Sequence, residues 1–107
     1  MIRNMIRKAF VMQLYKGHEA EYERRHNPIP AALERALQEG GVQSYSIFLH
    51  AATGQLFAYA EIEDEARWNA VAQTLECQEW WAFMRDLMET NSDNSPCSME
   101  LRPVFHL

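Results

Sequence analysis

The sequence predicts an α+β fold of the ferredoxin-like kind, with a four-stranded antiparallel sheet and helices on one face. Two observations lead there. Segments rich in β-favouring residues alternate with segments of helical spacing in the order β-α-β-β-α-β. A chain of 107 residues with 48% hydrophobic content can fill one core, which predicts a single domain over residues 1–107. Such a small domain gains stability from dimerising, and the sheet face that no helix covers would favour pairing with a second copy.

Three strands are predicted from apolar residues at every second position, over residues 6–15, 42–50 and 55–62. Residues 51–54, which end in Gly54, are expected to form a short hairpin turn. The fourth strand is expected over residues 98–107, where Pro103 is tolerable only at an edge or a bulge. In two of these strands one face is expected to be apolar, formed by Phe10, Met12 and Leu14 in the first, and by Leu56, Ala58, Ala60 and Ile62 in the third.

The first helical region is expected to consist of two segments. Asn27 and Ile29 each precede a proline, which disfavours the α conformation, so a charged helix over residues 18–26 should break there. Pro30 suits the first turn of a second segment over residues 31–39. Gly40 and Gly41 should end it.

The second helical region should also break. Asp64 is a suitable N-cap residue. Two apolar stripes follow Asp64 in this region. The second is rotated by roughly 110° around the helix from the first, so a single straight helix could not bury both. We therefore expect a break within residues 73–76. The first stripe is Trp68, Val71, Ala72 and Leu75, and the second is Trp80, Phe83, Met84 and Leu87.

Composition excludes several classes of function. The net charge is −5 and no basic cluster exceeds Arg24-Arg25, so nucleic acid is not an expected partner. No apolar run approaches the ~20 residues that a membrane helix needs, and the N-terminus lacks a signal-peptide pattern. Cys77 and Cys97 are expected to be reduced thiols of a cytoplasmic protein. Residues 1–4 are expected to be an unstructured lead, with Met5 an alternative start.

Tyr22 and His26 are four residues apart, so in a helix they lie on one face about a turn apart. Histidine is the side chain best suited to transfer protons near neutral pH. The pair is thus a candidate acid–base site just before the helix break. The alternative is a surface histidine beside a half-buried tyrosine.

Trp80 and Trp81 are adjacent, so in a helix they point about 100° apart. Flat indoles suit the apolar C–H faces of a sugar ring, and their N–H groups can donate to hydroxyls. The alternative is that both pack against the protein, one of them at a subunit interface. Tyr45, in the middle of the second strand, would ordinarily be a cross-strand packing residue, and Trp68 is read as core.

Neither a metal nor a cofactor is predicted. The four histidines show no ligand spacing, and the two cysteines are twenty residues apart. The chain also lacks a glycine-rich phosphate loop and a nucleophile elbow.

Four short motifs together resemble the L-rhamnose mutarotase family over almost the whole chain: His26-Asn27-Pro28-Ile29, Arg67-Trp68-Asn69-Ala70-Val71, Trp80-Trp81 and Asp93-Asn94-Ser95-Pro96. The resemblance implies a cofactor-free enzyme, a homodimer formed sheet against sheet, and a dimeric α/β-barrel type of assembly. It also implies that His26 is the proton donor and that the sugar is surrounded by Tyr22, Tyr45, Trp80 and Trp81.

The implied function is the interconversion of the α and β anomers of L-rhamnopyranose, an isomerase reaction that opens and recloses the sugar ring. The family pattern reads His-Asn-Pro-Ile-Trp-Pro, whereas this chain has Pro30 and Ala31 at the last two positions. That departure bears on sugar specificity more than on the chemistry. Two alternatives are a small cofactor-free monooxygenase on the same fold and a non-catalytic ligand-binding module.

Overall fold

The computed structural model describes residues 5–107, and the expected lead over residues 1–4 lies outside them. The predicted four-stranded antiparallel sheet is confirmed, with strand order β2-β3-β1-β4. The strands are β1 (Ile6–Gln13), β2 (Val42–His50), β3 (Gln55–Ile62) and β4 (Ser98–Leu101). The helices are α1 (Glu19–Arg25), α2 (Ala31–Glu39), α3 (Glu65–Val71) and α4 (Leu75–Met84). The arrangement is ferredoxin-like, as the order of elements predicts.

Strand β3 supplies the centre of the core. Its alternate residues Leu56, Ala58, Ala60 and Ile62 are almost fully buried, which confirms the predicted face. Met12 and Leu14 from the β1 side and Met84 from α4 pack on the same face. The side chains of β3 therefore alternate, with every second one in the core under the helices and the intervening ones on the other face.

A bulge decides which way Tyr45 points. Val42 pairs with Ile62, but the register shifts by one residue so that Tyr45 pairs with Ala60. Directly opposite residues of an antiparallel pair project to the same side of the sheet. The extra residue at the bulge therefore places both Val42 and Tyr45 on the helical face, although they are an odd number of positions apart.

The break between α1 and α2 lies where the prolines predict it. His18 and His26 are the caps of α1, so the expected helix over residues 18–26 is confirmed to within one residue at each end. Segment α2 begins after Pro30, and Gly40 is its C-cap. Gly41 then adopts a φ of +88°, a conformation that favours glycine over other residues.

The predicted break in the second helical region is also confirmed, and Thr74 makes it. The Thr74 hydroxyl donates to the carbonyl of Val71 at the end of α3 and accepts from the backbone N–H of Cys77 in the first turn of α4. Asp64 caps α3, where its Oδ2 accepts from the Arg67 N–H at 2.8 Å. Within the described residues, neither these nor the other helices are long and apolar enough to cross a membrane.

Strands β1 and β4 are shorter than predicted. Strand β4 ends at Leu101 rather than at residue 107, because Pro103 has no N–H to donate to a ladder. Residues 102–107 continue without regular structure and carry exposed Val104, Phe105 and Leu107. Strand β1 ends at Gln13 rather than at residue 15, and Leu14 forms an isolated bridge with Met88.

Two residues of the predicted helical stripes are not core. Leu75 is 68% exposed, because it begins α4 after the break and follows that helix's orientation rather than that of α3. Phe83 is 52% exposed, whereas Cys77 is buried together with Met84. The buried line of α4 therefore runs through Cys77 and Met84, with Trp80 and Trp81 on either side of it.

We expect Leu56→Ala to lower the free energy of unfolding by about 2–5 kcal/mol, because Leu56 is only 1% exposed and its truncation leaves a cavity. Leu75→Ala is the matched control and should change it by less than about 0.5 kcal/mol. Urea denaturation of the two variants measures both. Equal losses would show that the core does not lie against β3.

Candidate active site

His26 lies at the carboxyl end of α1 with its ring stacked on that of Tyr22. The ring centroids are 4.3 Å apart and the planes are inclined by 30°. The imidazole Nδ1 lies 2.8 Å from the backbone carbonyl oxygen of Tyr22. The predicted one-turn spacing is thus confirmed as direct contact, and the histidine is half-buried rather than a free surface side chain.

This hydrogen bond determines the tautomer of His26. A carbonyl oxygen has no proton to give, so Nδ1 must carry the hydrogen and donate it. In the neutral imidazole Nε2 then bears the lone pair. Burial lowers the pKa of His26 below its ordinary value, while the hydrogen bond to the Tyr22 carbonyl acts weakly in the opposite direction. Near pH 7 the ring is therefore a neutral base at Nε2.

Trp80 forms the second contact of the imidazole. Its ring meets that of His26 edge to face, with centroids 5.1 Å apart and an interplanar angle of 86°. The Trp80 ring also packs beside Phe83, at 5.9 Å, and against the core. Trp81 follows on the neighbouring side of α4 and is half-buried. The two tryptophans therefore have different surroundings: the Trp80 ring contacts His26, and Trp81 lies on a different side of the helix.

Tyr45 approaches the same region from the sheet. Its ring makes an edge contact with Phe10 at 6.4 Å and a tilted contact with Trp68 at 5.9 Å. Burial raises the pKa of the Tyr45 hydroxyl, and the nearby Tyr22 phenol and Cys77 thiol raise it further. Tyr45 therefore lies on the helical face of the sheet, and the residue is still 37% exposed.

Several polar side-chain atoms around His26 have no hydrogen-bond partner in the part of the chain that the structure describes. Among residues 5–107, no hydrogen bond is made by the hydroxyls of Tyr22 and Tyr45, by Nε2 of His26 or by the indole N–H groups of Trp80 and Trp81. No fully buried polar side-chain atom of the described residues lacks a hydrogen-bond partner. The Tyr22 hydroxyl and His26 Nε2 therefore remain accessible, as groups that receive a polar ligand must.

A separate open cavity of about 380 Å³ lies between α3 and strands β1 and β4. Phe10 and Trp68 line it, but neither His26 nor Trp80 does. Its most basic group, Lys8, is paired with Glu65 at 2.8 Å and Glu100 at 2.9 Å, and those hydrogen bonds raise the pKa of Lys8. A paired ammonium is a poor proton acceptor, so this cavity lacks the acid–base group that the His26 cluster has.

The structure brings the His26 ring into contact with the rings of Tyr22 and Trp80, and it places Tyr45 on the helical face of the sheet, against Phe10 and Trp68. Sequence reasoning missed the environment of Tyr45. Trp68 was read simply as core, but its ring packs on Tyr45 and on Phe10. No local spacing connects these three residues, since the contacts join β1, β2 and α3, so only the fold reveals them.

A family model described as L-rhamnose mutarotase matches residues 7–107. A protein of Opitutus terrae named L-rhamnose mutarotase is 63% identical over 103 residues, which are 96% of this chain and 99% of that protein. Such identity over the full length includes the chain segments that carry His26, Tyr45 and the tryptophan pair.

A comparison with solved structures points to the same family. The crystal structure of an L-rhamnose mutarotase from Formosa agariphila superposes with a TM-score of 0.87 and 37% identity, covering 95% of this chain and 98% of that one. A putative antibiotic biosynthesis monooxygenase from Nitrosomonas europaea shares the fold alone, with a TM-score of 0.65 and 11% identity over 98% of this chain and 95% of that one. The chain therefore belongs to the L-rhamnose mutarotase family.

Proposed function

We propose that this protein interconverts the α and β anomers of L-rhamnopyranose and that His26 transfers the proton. The observation that carries the proposal is the imidazole itself: half-buried, held in one tautomer by the Tyr22 carbonyl, and with Nε2 unpartnered among the described residues. Anomer exchange needs little more than proton transfer at two oxygens. A neutral base near working pH suits it.

In the opening half, Nε2 of His26 takes the proton of the anomeric hydroxyl. The electrons of that O–H bond form the C1=O bond, and the C1–O5 bond breaks with its electron pair on the ring oxygen. The imidazolium is stabilised by its Nδ1–H donation to the Tyr22 carbonyl. After C1 rotates, the ring closes on the other face and His26 returns the proton, so the same residue is the proton donor of the closing half.

The ring oxygen needs a second proton while it leaves. The hydroxyls of Tyr22 and Tyr45 are the candidates, because burial raises the pKa of both and keeps them protonated at neutral pH. A phenol that stays protonated can donate a hydrogen bond to the ring oxygen or to a sugar hydroxyl. Both tyrosines are therefore assigned to sugar binding, with the second proton relayed through one of them.

Trp80 and Trp81 are assigned to the sugar's apolar surface. Indole faces pack against C–H groups of pyranose rings and against a deoxy methyl group, while the N–H can donate to a hydroxyl. Trp80 has its ring fixed against His26, which would place a bound sugar beside the base. No cofactor or metal has a part in this chemistry.

The active unit is proposed to be a homodimer formed sheet against sheet. Phe48, Phe57, Val11 and Met99 are opposite one another in register, so they make one apolar row across all four strands on the face away from the helices. Phe48 and Met99 are each 66% exposed. Exposed apolar surface of this extent marks an interaction site, and the same row on a second copy is its self-complementary partner.

The cytoplasm is the proposed location. Both cysteines are free thiols, with Cys77 buried beside the site and Cys97 half-buried. Burial raises the pKa of Cys77 to about 11, which keeps it as an unreactive thiol. Reduced thiols of this kind are typical of a reducing compartment.

His26→Ala should lower the anomer exchange rate by roughly 10²–10⁴-fold, the usual contribution of a positioned acid–base group. Saturation-transfer NMR between the two anomeric protons of L-rhamnose measures the rate with and without protein. His18→Ala is the control, since His18 caps the other end of α1 without a side-chain cap bond, and its rate should stay near that of the wild type.

The pH profile gives an independent check of the same role. Because burial lowers the pKa of His26, the wild-type rate should be flat near pH 7 and fall only as the pH drops below about 6.5. His26→Ala should lose that fall. Full activity in His26→Ala, or catalysis that rises as the pH drops, would contradict the assignment.

Replacing Trp80 and replacing Trp81 should have different effects on stability and on sugar binding. Trp80 packs against the core, so Trp80→Ala should lower the free energy of unfolding by on the order of 2 kcal/mol, less than the ~3–5 kcal/mol of a fully buried tryptophan, and should also weaken sugar binding. Trp81→Ala should affect binding and rate with a smaller loss of melting temperature. Fluorescence titration with L-rhamnose and thermal melts separate them, and binding unchanged in both would remove the pair from the site.

The dimer predicts a sedimenting mass near twice the 12.5 kDa of the chain. Phe48→Lys places a charge on the open sheet face and should shift the protein toward monomer at micromolar concentration. Leu75→Lys is the matched control, equally exposed on the helical layer, and should leave the mass unchanged. A wild-type monomer under these conditions would rule out the sheet-against-sheet assembly.

A further inference from the structure

Arg25 and Arg24 are neighbours on α1 with very different surroundings. The side chain of Arg25 is 11% exposed, whereas that of Arg24 is 70% exposed. Within the described residues, Arg24 bonds to Glu21 on its own helix. Arg25 also bonds to Glu21, at 2.7 Å, but the rest of its guanidinium reaches across to the end of α4. Of these two arginines, as the structure describes them, only Arg25 therefore makes hydrogen bonds that join α1 to the end of α4.

Arg25 makes both hydrogen bonds and an aromatic contact at the end of α4 and just beyond it. Nη1 donates to the backbone carbonyl of Phe83 at 2.8 Å and to Oδ1 of Asp86 at 3.0 Å, and Nη2 donates to Oδ2 of Asp86 at 3.3 Å. The guanidinium carbon lies 4.2 Å from the centroid of the Phe83 ring. Four of the five guanidinium N–H groups are thus used in a fixed planar geometry, which a lysine cannot reproduce.

We infer that Arg25 is a positioning residue for the reaction, clamping the end of α1 to the end of α4 so that the His26 imidazole is held against Trp80. His26 is the next residue in the chain after Arg25, and Trp80 precedes Phe83 by one helical turn with their rings 5.9 Å apart. The clamp and the His26–Trp80 contact therefore join the same two helix segments side by side. The inference rests on the proposed function of His26.

The clamp also completes the end of α4. The last carbonyls of a helix have no partners within it, and cationic side chains bind them favourably. Here the cation comes from another helix, so the carbonyl of Phe83 accepts a hydrogen bond from a residue of α1. Catalysis by a positioned base depends on its distance from the substrate, and a displacement of about 1 Å can cost on the order of 10²-fold in rate.

The test compares Arg25→Met and Arg25→Lys with Arg24→Met as the matched control. In the clamp, the ring currents of Tyr22 and Trp80 both shift the His26 ring protons, and only the contribution of Trp80 depends on the position of α4. NMR of histidine-labelled protein detects this shift without any sugar. Arg25→Met should move that resonance toward its unshifted position, and kcat for anomer exchange should fall by roughly 10- to 100-fold with KM changed much less. Arg25→Lys should recover part of both, and Arg24→Met should match the wild type.

An unchanged His26 resonance in Arg25→Met overturns the inference, even if the melting temperature falls, because the residue would then be merely structural. Should Arg25→Met not fold, Asp86→Asn removes the carboxylate partner and should produce the same change in smaller measure, while an unchanged resonance there counts equally against the clamp. Absence of exchange activity in the wild type would refute the proposed function, and the resonance measurement would still decide the clamp.

Discussion

The hydrogen bond from the His26 imidazole to the Tyr22 carbonyl is the constraint on which the site depends. Asn27 precedes a proline, so α1 must end there and its last carbonyls lose their ordinary partners. The backbone N–H of His26 bonds to Glu23, at 3.2 Å, which leaves the Tyr22 carbonyl to the imidazole at 2.8 Å, while the Asn27 side chain donates to the carbonyl of Glu23. The catalytic candidate is thus also the cap of its helix, and the cap fixes the tautomer that leaves Nε2 as the lone-pair nitrogen, without a partner among the described residues.

Burial then acts in opposite directions on the groups gathered around that cap. Removing water disfavours the charged form of every ionisable group, so it lowers the pKa of His26 and raises the pKa of Tyr22 and Tyr45. The same desolvation therefore gives a neutral base and two neutral hydroxyl donors at one pH. Ring opening needs such a pair, since one oxygen must lose a proton while the other gains one. Neither an additional charge nor a metal is required to separate the two roles.

Local signals in the sequence predicted most of the fold. The bounds of α2, β2 and β3 follow from Pro30, the paired glycines and the hairpin turn, and Asp64 caps the helix it was expected to cap. What escaped prediction depends on residues distant in sequence. The bulge that turns Tyr45 toward the helices shows no turn residue, and the contacts of Arg25 with Asp86 span sixty-one positions. For the site, the Tyr22 and His26 pair was visible as one helical turn, but its third ring, Trp80, is brought in by packing.

The backbone alone does not define an anomerase, since a putative monooxygenase shares it at 11% identity. The difference must lie in which side chains fill the layer between sheet and helices. Ala58 and Ala60 occupy its floor on the central strand, opposite Phe10 and Tyr45 respectively, and both are almost fully buried. A larger side chain at either position would push against these rings, because close-packed interiors give way only at a cost of about 1–3 kcal/mol. The small residues thus leave room for the rings of Phe10 and Tyr45 in the layer between the sheet and the helices, close to the site that the end of α1 begins.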